Sequence, residues 1–229
     1  MSAASTPIVP FDSTLRGHGL CEPFVTGLFV DGASISVFDF AGSQVTVCAS
    51  DATAARAESL QFELGEGPHW EALATGAPVM CPDITKALSG SWPVFAGAAQ
   101  DAGIAAAFAF PMRIGAATVG VVDLYCAHPR WLDAHQISLA SSMADRVAIA
   151  AVRMATRMAD DPHAAENDVA PALRREVHQA TGMIQAQLEV SATEALTRLR
   201  SRAFATGMPI GELAASVVAG RTDFSALPD

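Results

Sequence analysis

The sequence lacks a long apolar segment and the motifs of common catalytic sites. No run of eighteen or more apolar residues occurs, so we expect no membrane-spanning helix. The first segment, MSAASTPIVPFDST, has no basic stretch followed by an apolar one, which argues against a secretory leader and favours a flexible tail over residues 1–20. The motifs G-x-S-x-G, H-E-x-x-H and G-x-G-x-x-G and the P-loop are missing, so we expect no enzyme and no catalytic residue.

Cysteine is scarce, and no two cysteines form a C-x-x-C pair. The four cysteines are Cys21, Cys48, Cys81 and Cys126. Their scattered positions favour reduced thiols in the cytoplasm over disulfides or a metal cage. The combinations His69 with Cys81 and Cys126 with His128 lack the spacing of a metal site. We therefore expect neither a metal nor a cofactor.

Basic residues are outnumbered, which normally argues against a nucleic-acid partner, but the charges are unevenly distributed. The net charge is −10. Residues 1–168 contain 8 Lys and Arg against 18 Asp and Glu, whereas residues 169–229 contain 6 Arg against 6 acids. The acidity therefore belongs to the first part alone. This asymmetry predicts two domains with different partners.

The first two thirds predict an α+β domain built on an antiparallel sheet. ASISVFD and QVTVCAS alternate apolar and polar residues around the turn-like FAGS, as in a hairpin. PHWEALATG and WPVFAGAAQDAG are typical of short helices, and IAAAFAFPMRI and TVGVVDLYC of two strands joined by a tight turn. Runs of strands with helices between them are typical of this fold class. We place the domain at residues 21–155.

Two residue sets in this domain have a structural and a functional interpretation. Aspartates 83, 123 and 133 fit caps of turns and helices better than acid–base groups. Five aromatic residues fit a hydrophobic core, and alternatively the apolar wall of a ligand pocket. These residues are Phe62, Trp70, Phe95, Phe108 and Phe110.

A long helix before Asp-Asp-Pro contains apolar residues at alternating spacings of three and four. Such a heptad seam predicts a coiled coil that joins two copies of the chain. A second stripe, Leu139, Met143 and Ala150, would then pack on the sheet; alternatively, both stripes form one broad apolar face of a monomer. The seam residues are Ile137, Ala140, Ala144, Val147, Ala151, Met154 and Met158.

The last third predicts a linker and a small bundle of three helices. The linker, residues 156–171, is polar and bounded by prolines. The bundle, residues 172–224, contains a helix that begins with a capping box at Ser191 and Glu194 and stops at Gly207. The third helix has Pro209 at its first turn and ends at Gly220.

The capped helix has arginines at every second position, and these flank its buried face. On a helical wheel, Arg198 and Arg202 lie on one side of that face, and Arg200 lies on the other beside Phe204. A guanidinium beside an aromatic ring suits stacking with single-stranded bases. The alternative interpretation is structural: Arg198 pairs with Glu194, and Phe204 packs under the third helix.

The last third resembles the ANTAR domain, the RNA-binding module of transcription antitermination regulators. The resemblance covers about residues 172–218 and rests on the A-x-G-M element, on Glu194, Ala195, Leu199 and Arg200, and on the following RAFATG. Thr181 stands where many of these domains have lysine. The resemblance and the helical wheel together predict RNA contacts at Arg174, His178, Thr181, Gly182, Gln185, Arg198, Arg200 and Arg202.

The first part resembles a GAF domain, a sensor of small molecules, over about residues 21–155. The similar segments are DGASISVFD, LGEGPHWEALATGAPV and FAFPMRIGAATVGVVDLY. The N-K-x-F-D-E signature of cyclic-nucleotide binders is missing, and His69 stands where cysteine is frequent in such proteins. The resemblance therefore implies a sensor fold with an unknown small-molecule ligand.

Together the resemblances imply a cytoplasmic, dimeric regulator that binds RNA hairpins in nascent transcripts under control of its sensor. A second hypothesis is a ligand-binding and dimerisation module whose helical tail contacts a protein such as RNA polymerase, since the tail is electrically neutral. A third, a DNA-binding helix-turn-helix protein, requires a basic recognition helix. The third helix contains Glu212 and no arginine, which argues against it.

Overall fold

The structure, a computed structural model, describes residues 18–38, 44–88, 90–160 and 169–226. The helices in these ranges are α1 His18–Leu28, α2 Ala52–Leu64, α3 Pro68–Thr75, α4 Pro93–Asp101, α5 Ala134–Asp160, α6 Val169–Leu188, α7 Ala192–Thr206 and α8 Ile210–Val218. The strands are β1 Gly32–Phe38, β2 Gln44–Ala49, β3 Val79–Cys81, β4 Ala106–Ile114 and β5 Ala117–Cys126. The predicted FAGS turn and most of the predicted tail lie outside the described residues, and α1 begins within the predicted tail.

The five strands form one antiparallel sheet in the order β2-β1-β5-β4-β3. The predicted hairpin is confirmed, because β1 pairs with β2 through partners such as Phe38 and Gln44. On its other side β1 pairs with β5, where Ser34 lies opposite Asp123. The predicted α+β class with an antiparallel sheet is therefore confirmed.

The two faces of the sheet are covered by different helices. Helices α1 and α5 cover one face, and α2, α3 and α4 cover the other. Asp51 caps the start of α2, because its carboxylate accepts hydrogen bonds from the backbone N–H groups of Thr53 and Ala54, and Gly65 in the left-handed conformation caps its end. Neither α1 nor α2 was predicted from the sequence. The predicted stop of α3 at Gly76 is confirmed.

Helix α5 packs on its own sheet through the residues that were predicted to face a second chain. Ala140, Ala144, Val147 and Ala151 are fully buried in the core with α1 and the sheet, and Leu139, Met143 and Ala150 pack at its border. The two stripes therefore form one broad face, and the predicted coiled-coil seam is wrong. A heptad and a wide amphipathic face give the same spacing in a helix of 27 residues. The homodimer stays a prediction.

Helices α6, α7 and α8 form the predicted bundle, with a short 3-10 turn at Phe224–Ala226. The Ser191 hydroxyl caps α7 by accepting a hydrogen bond from the backbone N–H of Glu194, and Gly207 ends the helix in the left-handed conformation. The linker is shorter than predicted, since α5 continues to Asp160 and α6 begins at Val169. Residues 161–168 lie outside the described residues.

Candidate nucleic-acid interface

The helical bundle lies against the sheet domain, and two of its arginines enter that domain. Arg200 of α7 and Arg174 of α6 each contact α2, and both guanidinium groups lie within 6 Å of the Phe62 ring. Phe62 is 1 % exposed, and it belongs to the hydrophobic core of the bundle although it is part of α2. The two domains therefore share one packed core at this contact.

Arg200 is held by the backbone and by two aromatic rings. Its Nε and Nη2 donate to the Phe62 carbonyl at 3.1 and 2.6 Å, and its guanidinium lies 4.9 Å from the Trp70 ring centre. Burial lowers the pKa of Arg200 to about 10, so it stays charged at neutral pH. Gly65 makes room for it, since a Cβ there would lie 3.0 Å from a guanidinium nitrogen. Such stacking of a partly desolvated cation is worth about 2 kcal/mol.

Arg174 forms a buried ion pair with Glu58 of α2 and also donates to the Thr46 hydroxyl. The other Glu58 oxygen accepts a hydrogen bond of 2.7 Å from the Gln44 side chain. Glu58 and Gln44 are 1 % and 3 % exposed. Removing one member of such a pair costs about 3–5 kcal/mol, because the other charge stays buried without compensation. The pair therefore fixes α6 to α2 and to the edge strand β2.

The eight residues predicted to bind RNA divide into two groups. Arg174 and Arg200 are engaged by the sheet domain, as is His178, whose Nε2 lies 3.4 Å from the Gln44 carbonyl. Thr181 is buried, and its hydroxyl donates to the Val177 carbonyl within α6. The group that faces solvent, fully or in part, consists of Gly182, Gln185, Arg198 and Arg202.

The solvent-facing group includes a glycine that exposes the backbone of α6, Gly182, and two arginines of α7, Arg198 and Arg202. A Cβ at Gly182 would meet no atom within 4 Å, so packing in the described residues does not require glycine there. Arg198 forms an exposed ion pair of 2.8 Å with Glu194, as in the structural alternative. Phe204 is 73 % exposed, so it does not pack under α8 as that alternative supposed. On the wheel of α7, Phe204 lies on the side of Arg200, opposite Arg198 and Arg202. Arg198 and Arg202 therefore suit contacts with a nucleic-acid backbone, and the exposed ring suits stacking with bases on the other side of the helix.

A buried polar layer lies on the sheet face beneath α2 and α3. The His69 Nδ1 lies 2.7 Å from an Asp123 carboxylate oxygen, and both side chains are 1 % exposed. The Gln61 side chain links the layer by donating to the Tyr125 hydroxyl and accepting from the backbone N–H of His69. Asp123 therefore caps neither a turn nor a helix, and that prediction is wrong. Asp83 does cap a short 3-10 helix, Ile84–Ala87, and Asp133 caps the start of α5.

The five aromatic residues predicted to line a ligand pocket do not lie together. Phe108 and Phe110 are on the sheet face covered by α1 and α5, whereas Phe95 is on the opposite face with α4. Phe62 and Trp70 pack against the bundle. The prediction of one pocket shared by these residues is therefore wrong. Because strand residues two positions apart lie on the same face, Phe108 and Phe110 are together on the face away from α4.

Three residues that connect the two domains and the polar layer were not predicted as functional: Gln44, Glu58 and Gln61. A signal for Asp123 was present, because it is a single acid within the apolar strand TVGVVDLYC. An acid in such a strand requires a buried partner. Glu58 gave no comparable signal, since α2 is rich in charged and small residues.

The cysteines do not all remain thiols. Cys21 of α1 and Cys48 of β2 form a disulfide, so the predicted reduced state is wrong for this pair. The two positions are far apart in sequence, and the fold brings them together. Cys81 and Cys126 are buried thiols, and burial raises the pKa of each. Among the described residues, no three His, Cys, Asp or Glu side chains are grouped as metal ligands.

No helix in the described ranges has the length and apolar character needed to cross a membrane.

Among solved structures, the chain is similar to a domain of a putative two-component sensor histidine kinase protein from Sinorhizobium meliloti 1021. The two are 21 % identical, the match covers 62 % of this chain and 92 % of that one, and the TM-score is 0.47. It is also similar to the GAF domain of the cyanobacteriochrome TePixJ, with 23 % identity, 62 % and 93 % coverage, and a TM-score of 0.49. The GAF-B domain of DevS from Mycobacterium smegmatis shows 17 % identity, 66 % and 100 % coverage, and a TM-score of 0.43.

None of the curated proteins matches this chain in sequence. Two family models do match it: that of the GAF domain over residues 20–151, and that of the ANTAR domain over residues 168–218. The first corresponds to the sheet domain and the second to the bundle. The match of the first model covers more than half of the chain. The chain therefore belongs to the GAF domain family and carries a C-terminal ANTAR domain.

Proposed function

We propose that this protein is an RNA-binding transcription antitermination regulator whose GAF sensor domain controls the ANTAR domain by covering part of its RNA-binding face. The observation that carries the proposal is the contact of Arg174, His178 and Arg200 with the sensor. All three belong to the set expected to contact RNA. In the docked arrangement they are engaged by protein groups, and a hairpin cannot use them at the same time.

The control is a shift between two populations. Docked molecules present Gly182, Gln185, Arg198 and Arg202, whereas undocked molecules would present the whole set. RNA binds the undocked molecules better, so any ligand that disfavours docking raises RNA affinity. Both domains are sensor and regulatory modules and not catalytic ones. We propose a cytoplasmic homodimer that senses a small molecule and has no enzymatic activity.

The test loosens the contact from the sensor side, where no residue is expected to touch RNA. Trp70→Ala removes the ring that stacks on Arg200, and Trp131→Ala is the control because Trp131 is 74 % exposed on the sensor surface. Fluorescence anisotropy with the full-length protein and a labelled RNA containing two hairpins measures the affinity. Trp70→Ala should bind RNA up to about thirtyfold more tightly, since the lost stacking is worth about 2 kcal/mol, and Trp131→Ala should bind like the wild type.

The dependence of RNA affinity on salt concentration distinguishes this function from the hypothesis that the helical tail binds a protein. Contacts to RNA phosphates release counterions, so the affinity for RNA should fall steeply between about 50 and 200 mM salt. Absence of RNA binding by both the wild type and Trp70→Ala would refute the proposed function. Equal binding by both would refute the masking of the RNA face alone.

A further inference from the structure

Among the residues of the sensor that the structure describes, four buried polar atoms have no hydrogen-bond partner. They are Ser36 Oγ, Gln44 Oε1, His69 Nε2 and Asp123 Oδ1. Their side chains are 0–3 % exposed. A buried polar group without a partner costs about 1–3 kcal/mol, and native proteins contain few of them. Four such atoms in one domain therefore call for partners, which are either ordered water or a bound molecule.

The four atoms belong to one patch of the sheet face. Ser34, Ser36 and Phe38 point to the same side of β1, and their cross-strand partners include Asp123 on β5 and Gln44 on β2. The His69 imidazole lies over this patch, since its Nδ1 contacts Asp123 and its ring centre lies 5.7 Å from that of Phe38. The patch is therefore framed by β1, β2, β5 and α3.

The four atoms act mainly as hydrogen-bond acceptors, so a ligand that binds them must supply hydrogen-bond donors. The Asp123 oxygen and the Gln44 amide oxygen only accept hydrogen bonds, unless the carboxyl is protonated. A neutral imidazole that donates from Nδ1 to Asp123 also accepts at Nε2, and the Ser36 hydroxyl accommodates either role. Phe38 and Trp70 add two rings, 5.9 Å apart, beside His69. Acceptors next to aromatic rings suit a flat group that carries several N–H donors.

We propose that this patch is the sensor's binding site for a small molecule with adjacent N–H donors on a flat group, of the amidine class. This inference rests on the sensor role given to the GAF domain above. The site is connected to the ANTAR domain through Gln44, whose amide nitrogen donates to Glu58, the partner of Arg174. A ligand that draws the Gln44 side chain toward itself removes one hydrogen bond from Glu58 and weakens the hold on Arg174.

The test uses pairs of probes with the same shape and opposite hydrogen-bonding character. Benzamidine and acetamidine carry N–H donors, whereas benzoate and acetate have acceptors in the same positions. Each is titrated at constant ionic strength into the full-length, ¹⁵N-labelled protein without RNA, and NMR shifts are followed at Ser36, His69 and Asp123. At least one amidine should bind saturably and about tenfold more tightly than its carboxylate, the factor for one charge-assisted hydrogen bond.

Ser36→Ala is the site variant, because its hydroxyl has no partner to lose and the fold should be retained. It should weaken amidine binding severalfold, whereas the exposed Ser142→Ala should not. Binding of the carboxylates as tightly as the amidines, or unchanged binding by Ser36→Ala, would overturn the proposal. So would the absence of amidine binding, in which case buried water serves these atoms. None of these results depends on RNA, so the proposed function is tested separately.

Discussion

The guanidinium of Arg200 in α7 lies 4.9 Å from the indole ring of Trp70 in α3, so an arginine of the ANTAR domain is a structural element of the sensor contact. Two hydrogen bonds to the Phe62 carbonyl complete its surroundings. The alternate spacing of Arg198, Arg200 and Arg202 thus has two uses in this fold. Arg198 and Arg202 lie toward solvent, and Arg200 joins the domains.

Arg200→Ala should separate the two domains, and Arg198→Ala should not. Arg200 loses stacking and charge-assisted hydrogen bonds worth roughly 2–4 kcal/mol, whereas Arg198 loses an exposed ion pair worth less than about 1 kcal/mol. Small-angle X-ray scattering should show a larger radius of gyration for Arg200→Ala alone, and the fluorescence of Trp70 should change. If both variants scatter like the wild type, Arg200 does not hold the domains together.

Gly182→Ala should stabilise α6 and weaken RNA binding. A mid-helix alanine is favoured over glycine by about 1 kcal/mol, and nothing within 4 Å would obstruct its methyl group. Gly97→Ala is the matched control, because Gly97 is also within a helix, α4 of the sensor, and a Cβ there meets nothing within 4 Å. Thermal unfolding and RNA titration are measured on both. Unchanged RNA affinity in Gly182→Ala would show that RNA does not approach this backbone.

Val147→Asp should unfold the sensor, whereas Ile149→Asp, two positions along α5, should leave it folded. Val147 is fully buried against the sheet, and Ile149 is 53 % exposed. An unpaired charge in the core costs several kcal/mol. Circular dichroism during heating separates the two variants. Light scattering measures the mass of both proteins. If the wild type is a dimer and Val147→Asp is a folded monomer, the result would support the heptad seam of α5 as the dimer interface.

Reduction of the Cys21–Cys48 bond should lower the stability of the sensor. The bond joins cysteines 27 positions apart, and closing a loop of that length restricts the unfolded chain by about 3–4 kcal/mol. The melting temperature should therefore fall in dithiothreitol. The Cys21→Ser/Cys48→Ser double variant should melt at that lower temperature with or without reductant. Insensitivity of the wild type to dithiothreitol would show that the bond contributes nothing to stability.

Sequence by itself determined the elements whose signals are local. The β1–β2 hairpin follows from alternation, and the limits of α3 and α7 follow from Gly76, Ser191 and Gly207. These signals act within a few residues, through backbone conformation and hydrogen bonds to the chain's own ends. The motifs around Gly182 and Arg200 likewise indicated the ANTAR domain.

Only the tertiary structure decided which element packs against each face of a helix. The spacing along α5 showed which residues are buried, but both a sheet and a second helix accept that pattern, and here the sheet covers Val147. The wheel of α7 placed Arg200 beside the core without indicating that Phe62 and Trp70 of another domain would enclose it. The disulfide and the Glu58–Arg174 pair join residues distant in sequence. Such contacts depend on how the elements pack, which local periodicity does not specify.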